Sequence, residues 1–132
     1  MEIVTKAPLD PERLFDQIRK NRAGSVLFHY AVVKSQAGDK VSTGILFERN
    51  GDMEAELAEI SVNIKGRWNV DDVLLVRRIG TFKIGDVISL VAVSSPASND
   101  AFETCRFGLE RLKKMVSLRK TEMLYNHAKN QL

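Results

Sequence analysis

The feature that most constrains this chain is a run near its C-terminal end: a mostly apolar strand, a proline stop and a long amphipathic helix. Val87 to Ser94 is rich in Val, Leu and Ile, and Pro96 ends it. From Asn99 to Met115 the apolar residues follow a helical period, with Phe102, Cys105, Leu109, Leu112 and Val116 at spacings of three and four. A strand this apolar is covered on its faces, and a helix with one apolar stripe needs a surface to lie on. The two therefore belong to one sheet-and-helix core.

The rest of the chain repeats the theme. Asp10 and Pro11 read as the cap and first position of a helix that shares Leu14, Phe15 and Ile18 on one face and ends between Asn21 and Gly24. Ser25 to Lys34 reads as a strand, residues 35–39 as a polar turn and Val41 to Glu48 as its hairpin partner. Asn50-Gly51-Asp52 is a turn with Asp52 as the next cap, and Met53, Leu57, Ile60 and Ile64 mark a helix burying one face. Trp68 follows as a packed aromatic. Val73 to Ile79 is a strand that pairs with Val87 to Ser94 across the turn at Lys83-Ile84-Gly85-Asp86. The order predicts an α+β fold: antiparallel hairpins with three helices packed on one face of the sheet. No repeat or linker divides the 132 residues, so 1–132 is expected to form one domain, with 123–132 as a tail.

Composition narrows the function. No apolar run approaches the roughly 20 residues needed to cross a bilayer. Residues 1–6 lack the layout of a signal peptide, so a cytoplasmic protein is expected. A single cysteine, Cys105, permits no internal disulfide, and with only His29 and His127 beside it no metal site is expected. Cys105 on the helix stripe reads as a small core residue. From Arg106 onward seven basic residues face two acidic ones, while the remainder holds 13 basic and 15 acidic residues. That asymmetry suits an anionic ligand or an acidic partner. Nucleic acid is disfavoured, because few aromatics interleave with the basic residues as a stacking platform requires.

Three groups could carry chemistry. Lys113 lies on the flank of the last helix, and a turn after Val116 would bring Lys120 back beside it; paired lysines can serve as acid, base or nucleophile, although two solvated lysines are the plainer reading. Arg77 and Arg78 sit side by side in a strand, so one must face the helices or a site and the other solvent; an arginine fork suits phosphate. Ser94, Ser95 and Ser98 have no Asp-His partner, and Ser98 is read as a helix cap. No Gly-rich phosphate loop is present.

These residues resemble those of the large, catalytic subunit of molybdopterin synthase, the MoaE family. The likeness runs from about Pro8 to Glu122. It rests on Pro8-Leu9-Asp10, Arg67-Trp68, Val76-Arg77-Arg78-Ile79-Gly80 with Ile84-Gly85-Asp86, and above all Val91-x-Val93-x-Ser95, Ala101-Phe102-Glu103, Leu112-Lys113 and Lys120-x-Glu122. The resemblance implies a hammerhead-like α/β arrangement and a sulfur transfer. The sulfur would pass from the C-terminal thiocarboxylate of a small ubiquitin-like (MoaD-like) subunit to cyclic pyranopterin monophosphate, without a cofactor. It also implies a Gly-Gly tail entering a pocket of this chain, a homodimeric core within a heterotetramer, and Lys113 and Lys120 as the catalytic pair.

The chain departs from the family at the substrate clamp. Ala97 and Ser98 stand where a His-Arg pair is usual, and Lys34 is the nearest cation to a degraded Gly-x-Val-Arg. Arg119 replaces an aromatic before the second lysine, and the usual Gly-x-x-Trp is absent. The substrate-binding candidates are therefore Arg77, Arg78, Lys34 and Arg119, with Ala97 and Ser98 at the altered positions. The alternative is a paralogue that keeps the tail-binding groove as a protein-binding module and has lost the chemistry.

Overall fold

The computed structural model describes residues 1–125. Its elements are β1 (Glu2–Thr5), α1 (Pro11–Gln17), β2 (Ser25–Val32), β3 (Gln36–Ala37), β4 (Lys40–Arg49), α2 (Met53–Arg67), β5 (Asp72–Arg78), β6 (Gly80–Lys83), β7 (Val87–Ser95), α3 (Ser98–Lys113) and β8 (Leu118–Leu124). One sheet runs β1-β5-β7-β2, with β1 parallel to β5 and the other pairs antiparallel. The second sheet runs β3-β4-β6, and β8 also pairs with β4. The α+β class with three helices is as expected.

The first sheet is buried on both faces, which is why β5 and β7 read as continuous apolar runs. Val73, Leu75, Val91 and Val93 face α2 and α3 together with Met53, Leu57, Ile60, Ile64 and Leu112. Leu74, Val76, Leu90 and Ala92 face the opposite way, onto Leu14 and Ile18 at α1. Helices therefore cover both faces, not one. Strand alternation across β5 and β7 divides two cores of this size between the two sides.

Asp52 caps α2 by accepting the Ala55 N–H at 2.9 Å, and all four residues of its expected stripe are fully buried. Asp10 caps α1 the same way, from the Arg13 N–H. That helix ends at Gln17, short of the expected Asn21–Gly24. Tertiary bonds pull the chain straight there: the Asp72 carboxylate accepts the Arg19 N–H at 2.9 Å and the Ser94 hydroxyl donates to the Arg19 carbonyl.

Two further expectations are corrected. Strands β2 and β4 do not form a hairpin; β2 pairs along its length with β7, and β4 takes β6 and β8. The turn between them carries the chain from one sheet to the other. The buried stripe of α3 is Ala101, Thr104, Gly108 and Leu112, whereas Phe102 and Val116 are exposed. Small residues let the helix lie close on the sheet, and a Cβ on Gly108 would come 3.1 Å from Val91 Cγ1. Cys105 is half-buried at the margin of that core. Trp68 packs on Phe107 with ring centroids 5.2 Å apart. Strand β8 reaches Leu124, so the first residues of the expected tail are ordered in a sheet; residues 126–132 lie outside the described residues. Among the described residues no helix is long and apolar enough to cross a membrane.

Candidate active site

Helix α3 ends at Lys113, and after a short turn β8 runs back antiparallel to β4, with Lys120 opposite Phe47 and Glu122 opposite Ile45. The turn is held by Glu56 on α2, whose carboxylate accepts the Val116 N–H at 3.1 Å and the Ser117 N–H at 2.9 Å. These bonds bring the two lysines to one place. Lys113 and Lys120 line a single recess of about 570 Å³ between the two sheets, together with Lys34, Arg77, His29, Ser89, Phe47, Leu109 and Glu122.

The recess is strongly positive. Four of its lining side chains are cations (Lys34, Arg77, Lys113 and Lys120), against one carboxylate, Glu122. That carboxylate is already engaged: Lys120 Nζ lies 3.3 Å from Oε1, and the Ser42 hydroxyl donates to Oε2 at 2.9 Å. Among the described residues, Lys34, Arg77 and Lys113 pair with no carboxylate, so the pocket suits an anion.

Arg77 is the most constrained of them. It is only 6% exposed, and its guanidinium stacks over the Phe47 ring at 4.4 Å. Its Nε has no hydrogen-bond partner among the described residues. Desolvation by burial pulls its pKa down to about 10. Few folds tolerate a buried guanidinium without a carboxylate unless a ligand supplies the anion.

The other expected site residues lie elsewhere. Arg78, one residue on, projects to the opposite face as strand alternation demands; it covers the Phe82 ring and donates to the Val87 and Lys6 carbonyls at 2.7 and 3.0 Å. Arg119 points away from Lys120 for the same reason and donates to Asn50 Oδ1 at 3.2 Å. Ala97 is the N-cap of α3 and makes no side-chain cap bond, so the expected cap at Ser98 is corrected: Ser98 is the first helical residue and its hydroxyl lies 2.8 Å from that of Ser25. Both positions are at the far end of α3 from Lys113, roughly 22 Å along a helix that rises about 1.5 Å per residue. Neither lines the recess of this chain. The other two serines are structural: Ser94 serves the Arg19 carbonyl and Ser95 donates to the Asn69 carbonyl at 2.6 Å.

Sequence reasoning gave no place in the recess to His29, Ser89 or Glu122, which line it. Glu122 carried a signal, because it shares a strand face with Lys120 at a spacing of two. His29 and Ser89 carried none, because their place depends on the register between strands distant in sequence.

The model of the MoaE protein family matches residues 4–115. The chain belongs to the MoaE family. The molybdopterin synthase catalytic subunit of Bacillus subtilis (strain 168) is 28% identical over 121 residues, covering 91% of this chain and 77% of its own. That of Staphylococcus carnosus (strain TM300) is 32% identical over 123 residues, covering 92% and 81%. The crystal structure of molybdopterin synthase from Staphylococcus aureus superposes with a TM-score of 0.84 at 26% identity, over 93% of this chain and 90% of that one. The matched family span includes Lys113 and ends before Lys120.

Proposed function

We propose that this chain is the catalytic subunit of a molybdopterin synthase. It transfers sulfur from the C-terminal thiocarboxylate of a small ubiquitin-like subunit to cyclic pyranopterin monophosphate, in the cytoplasm, as the homodimeric core of a heterotetramer. The observation that carries this reading is the meeting of Lys113 and Lys120 in one cation-rich recess.

The chemistry follows from the charge. A thiocarboxylate and a phosphate ester are both anionic, and a recess with an excess of cations concentrates them together. Lys113 ends a rigid helix and Lys120 lies in a paired strand, so both ammonium groups are positioned before the substrate arrives. They steady the thiocarboxylate and the oxyanion that forms as sulfur leaves, and one of them transfers protons. Lys34 and Arg77 hold the anionic substrate. Arg78, Arg119, Ala97 and Ser98 take no part within this chain's own recess.

The test combines the protein with its thiocarboxylated partner and the pterin precursor. Dithiolene product is expected, and Lys113→Ala abolishes it; no product from the wild-type protein with the cognate partner overturns the enzymatic reading. A second reading is favoured by the Ala97-Ser98 positions, where the family's His-Arg pair is missing. It makes the chain a tail-binding module without turnover. Binding of the partner's Gly-Gly tail with no product formed selects that reading.

A further inference from the structure

Strand β8 brings Lys120 into the recess, yet little in its own sequence fixes how it pairs. Its middle, Arg119-Lys120-Thr121-Glu122, is polar on both faces, and only Glu122 of the four is partly buried. A strand with one apolar face is held in register by burying it, whereas a strand polar on both faces is prone to slip. Leu118, at the start of β8, is only partly buried against the cores. At the other end, the pairing with β4 is irregular between Ser42 and Gly44. A slip of one residue turns every side chain to the opposite face. Lys120 and Glu122 would leave the recess, and Arg119 and Thr121 would take their place.

The register is set just ahead of the strand. Ser117 is gripped by α2 and by the turn that precedes it. Its N–H donates to Glu56 Oε1 at 2.9 Å, its hydroxyl donates to the same oxygen at 2.6 Å, and its carbonyl accepts the Asn50 N–H at 2.7 Å. The second oxygen of Glu56 accepts the Val116 N–H at 3.1 Å. Val116 itself is 79% exposed, so its side chain gives the turn no apolar anchor. Glu56 has a fixed support, because Met53, Leu57 and Ile60 of the same helix are fully buried. Burial acts to raise its carboxyl, but the bonds from Ser117 and Val116 and the charge of Arg111 outweigh that, and its pKa lies below the ordinary value. An ionised carboxylate only accepts, which matches the three donors it faces. Glu56 does not line the recess.

We infer that Glu56 is a positioning residue for the lysine pair: from outside the recess it fixes the register in which β8 joins β4, and so decides that Lys120 and not Arg119 faces Lys113. The effect on register stands on the geometry alone. The effect on rate rests on the sulfur-transfer reading.

The test reads register and rate separately. Backbone nuclear Overhauser contacts in the purified chain should pair Phe47 with Lys120 and Glu48 with Arg119 in the wild type. In Glu56→Ala a second set is expected, pairing Phe47 with Arg119 or Thr121. With the thiocarboxylated partner and the pterin precursor, kcat per folded protein should fall about tenfold or more, as misplacement of a reacting group implies. KM for the pterin should stay nearly unchanged, because Lys34 and Arg77 are undisturbed. Glu56→Gln keeps one acceptor oxygen and is expected to lie between the wild type and Glu56→Ala on both readouts. Should Glu56→Ala not fold, Glu56→Gln must still show the second set of contacts and a lower kcat. Ile60→Val loosens the buried face of the same helix without touching the turn, and should keep both the pairing and the rate. The inference is overturned if the Glu56 variants keep the wild-type pairing, whatever their rate, if they slip and keep the wild-type kcat, or if Ile60→Val lowers kcat as far as they do. The two readings fail separately. A Glu56-dependent register with no product from the wild type refutes the synthase and leaves the register claim; wild-type product with a register independent of Glu56 refutes the inference and leaves the synthase.

Discussion

Replacing Arg77 with methionine should make the protein more stable and less able to hold its substrate. Burial pulls the guanidinium down to about 10, and among the described residues no carboxylate offsets that cost. A displacement of this size corresponds to about 3 kcal/mol against the charged form in the folded state. Methionine removes that penalty and fills a similar apolar volume. It also removes the stacking over Phe47 at 4.4 Å, which is worth about 0.5–2 kcal/mol. The net expectation for Arg77→Met is a gain of about 1–2 kcal/mol at neutral pH. The sign with pH follows from linkage. A base whose folded pKa is lowered carries its full penalty below that pKa and sheds it as pH rises towards the unfolded value. The advantage of the variant therefore holds at neutral pH and shrinks above about pH 10. Urea unfolding followed by the fluorescence of Trp68, the single tryptophan, measures the difference. In a second arm, methyl phosphate should raise the stability of the wild type by mass action and leave the variant unmoved. A variant destabilised by more than about 1 kcal/mol would refute the reasoning, because Arg77 would then be a structural residue and not a site residue kept at a cost.

Two further outcomes bear on the frame that presents the site. Gly44→Ala directs a methyl group at the Phe82 carbonyl oxygen and to 2.8 Å from Met123 Cε, on the strand that carries both β6 and β8; overpacking against backbone should cost about 1–3 kcal/mol or more and displace Lys120, seen as a lower urea midpoint and reduced product. Wild-type stability in that variant would show that the second sheet is looser than described. Cys105 is half-buried and desolvation pushes its thiol up, so its reaction with a chromogenic disulfide reagent at neutral pH should be about tenfold or more slower than in the urea-unfolded chain, and equal rates would contradict that burial.

What the sequence conveyed and what it hid divide along physical lines. Local signals were reliable: Asp52 caps α2, the stripe Met53, Leu57, Ile60 and Ile64 is the buried one, and Pro96 separates β7 from α3. Lys113 and Lys120, which line one recess, stood out as a pair only through the family resemblance, because their spacing alone reads as two solvated lysines. Partner choice between strands was not. Ser25–Val32 and Lys40–Arg49 are adjacent in the chain and both read as strands, yet each finds its partners elsewhere, since a hairpin signal describes a turn and not the sheet the chain enters after it. The helical period likewise located α3 but misplaced its inner face. Hydrophobicity favoured Phe102 and Val116, whereas close approach to Val91 requires the small side of the helix, Ala101, Thr104 and Gly108. His29 entered the site only through the register of β2 on β7, a long-range contact that no local pattern encodes.

The missing His-Arg pair bears on the function less directly than the sequence suggests. Ala97 and Ser98 begin α3, Lys113 ends it, and the intervening helix is rigidly packed on the sheet through Gly108. A change at the first end therefore alters neither the position nor the charge of the lysines at the other. Meanwhile Arg77 adds a cation to the same recess from β5. Arg77, which has no carboxylate partner among the described residues, fits an anion-binding recess.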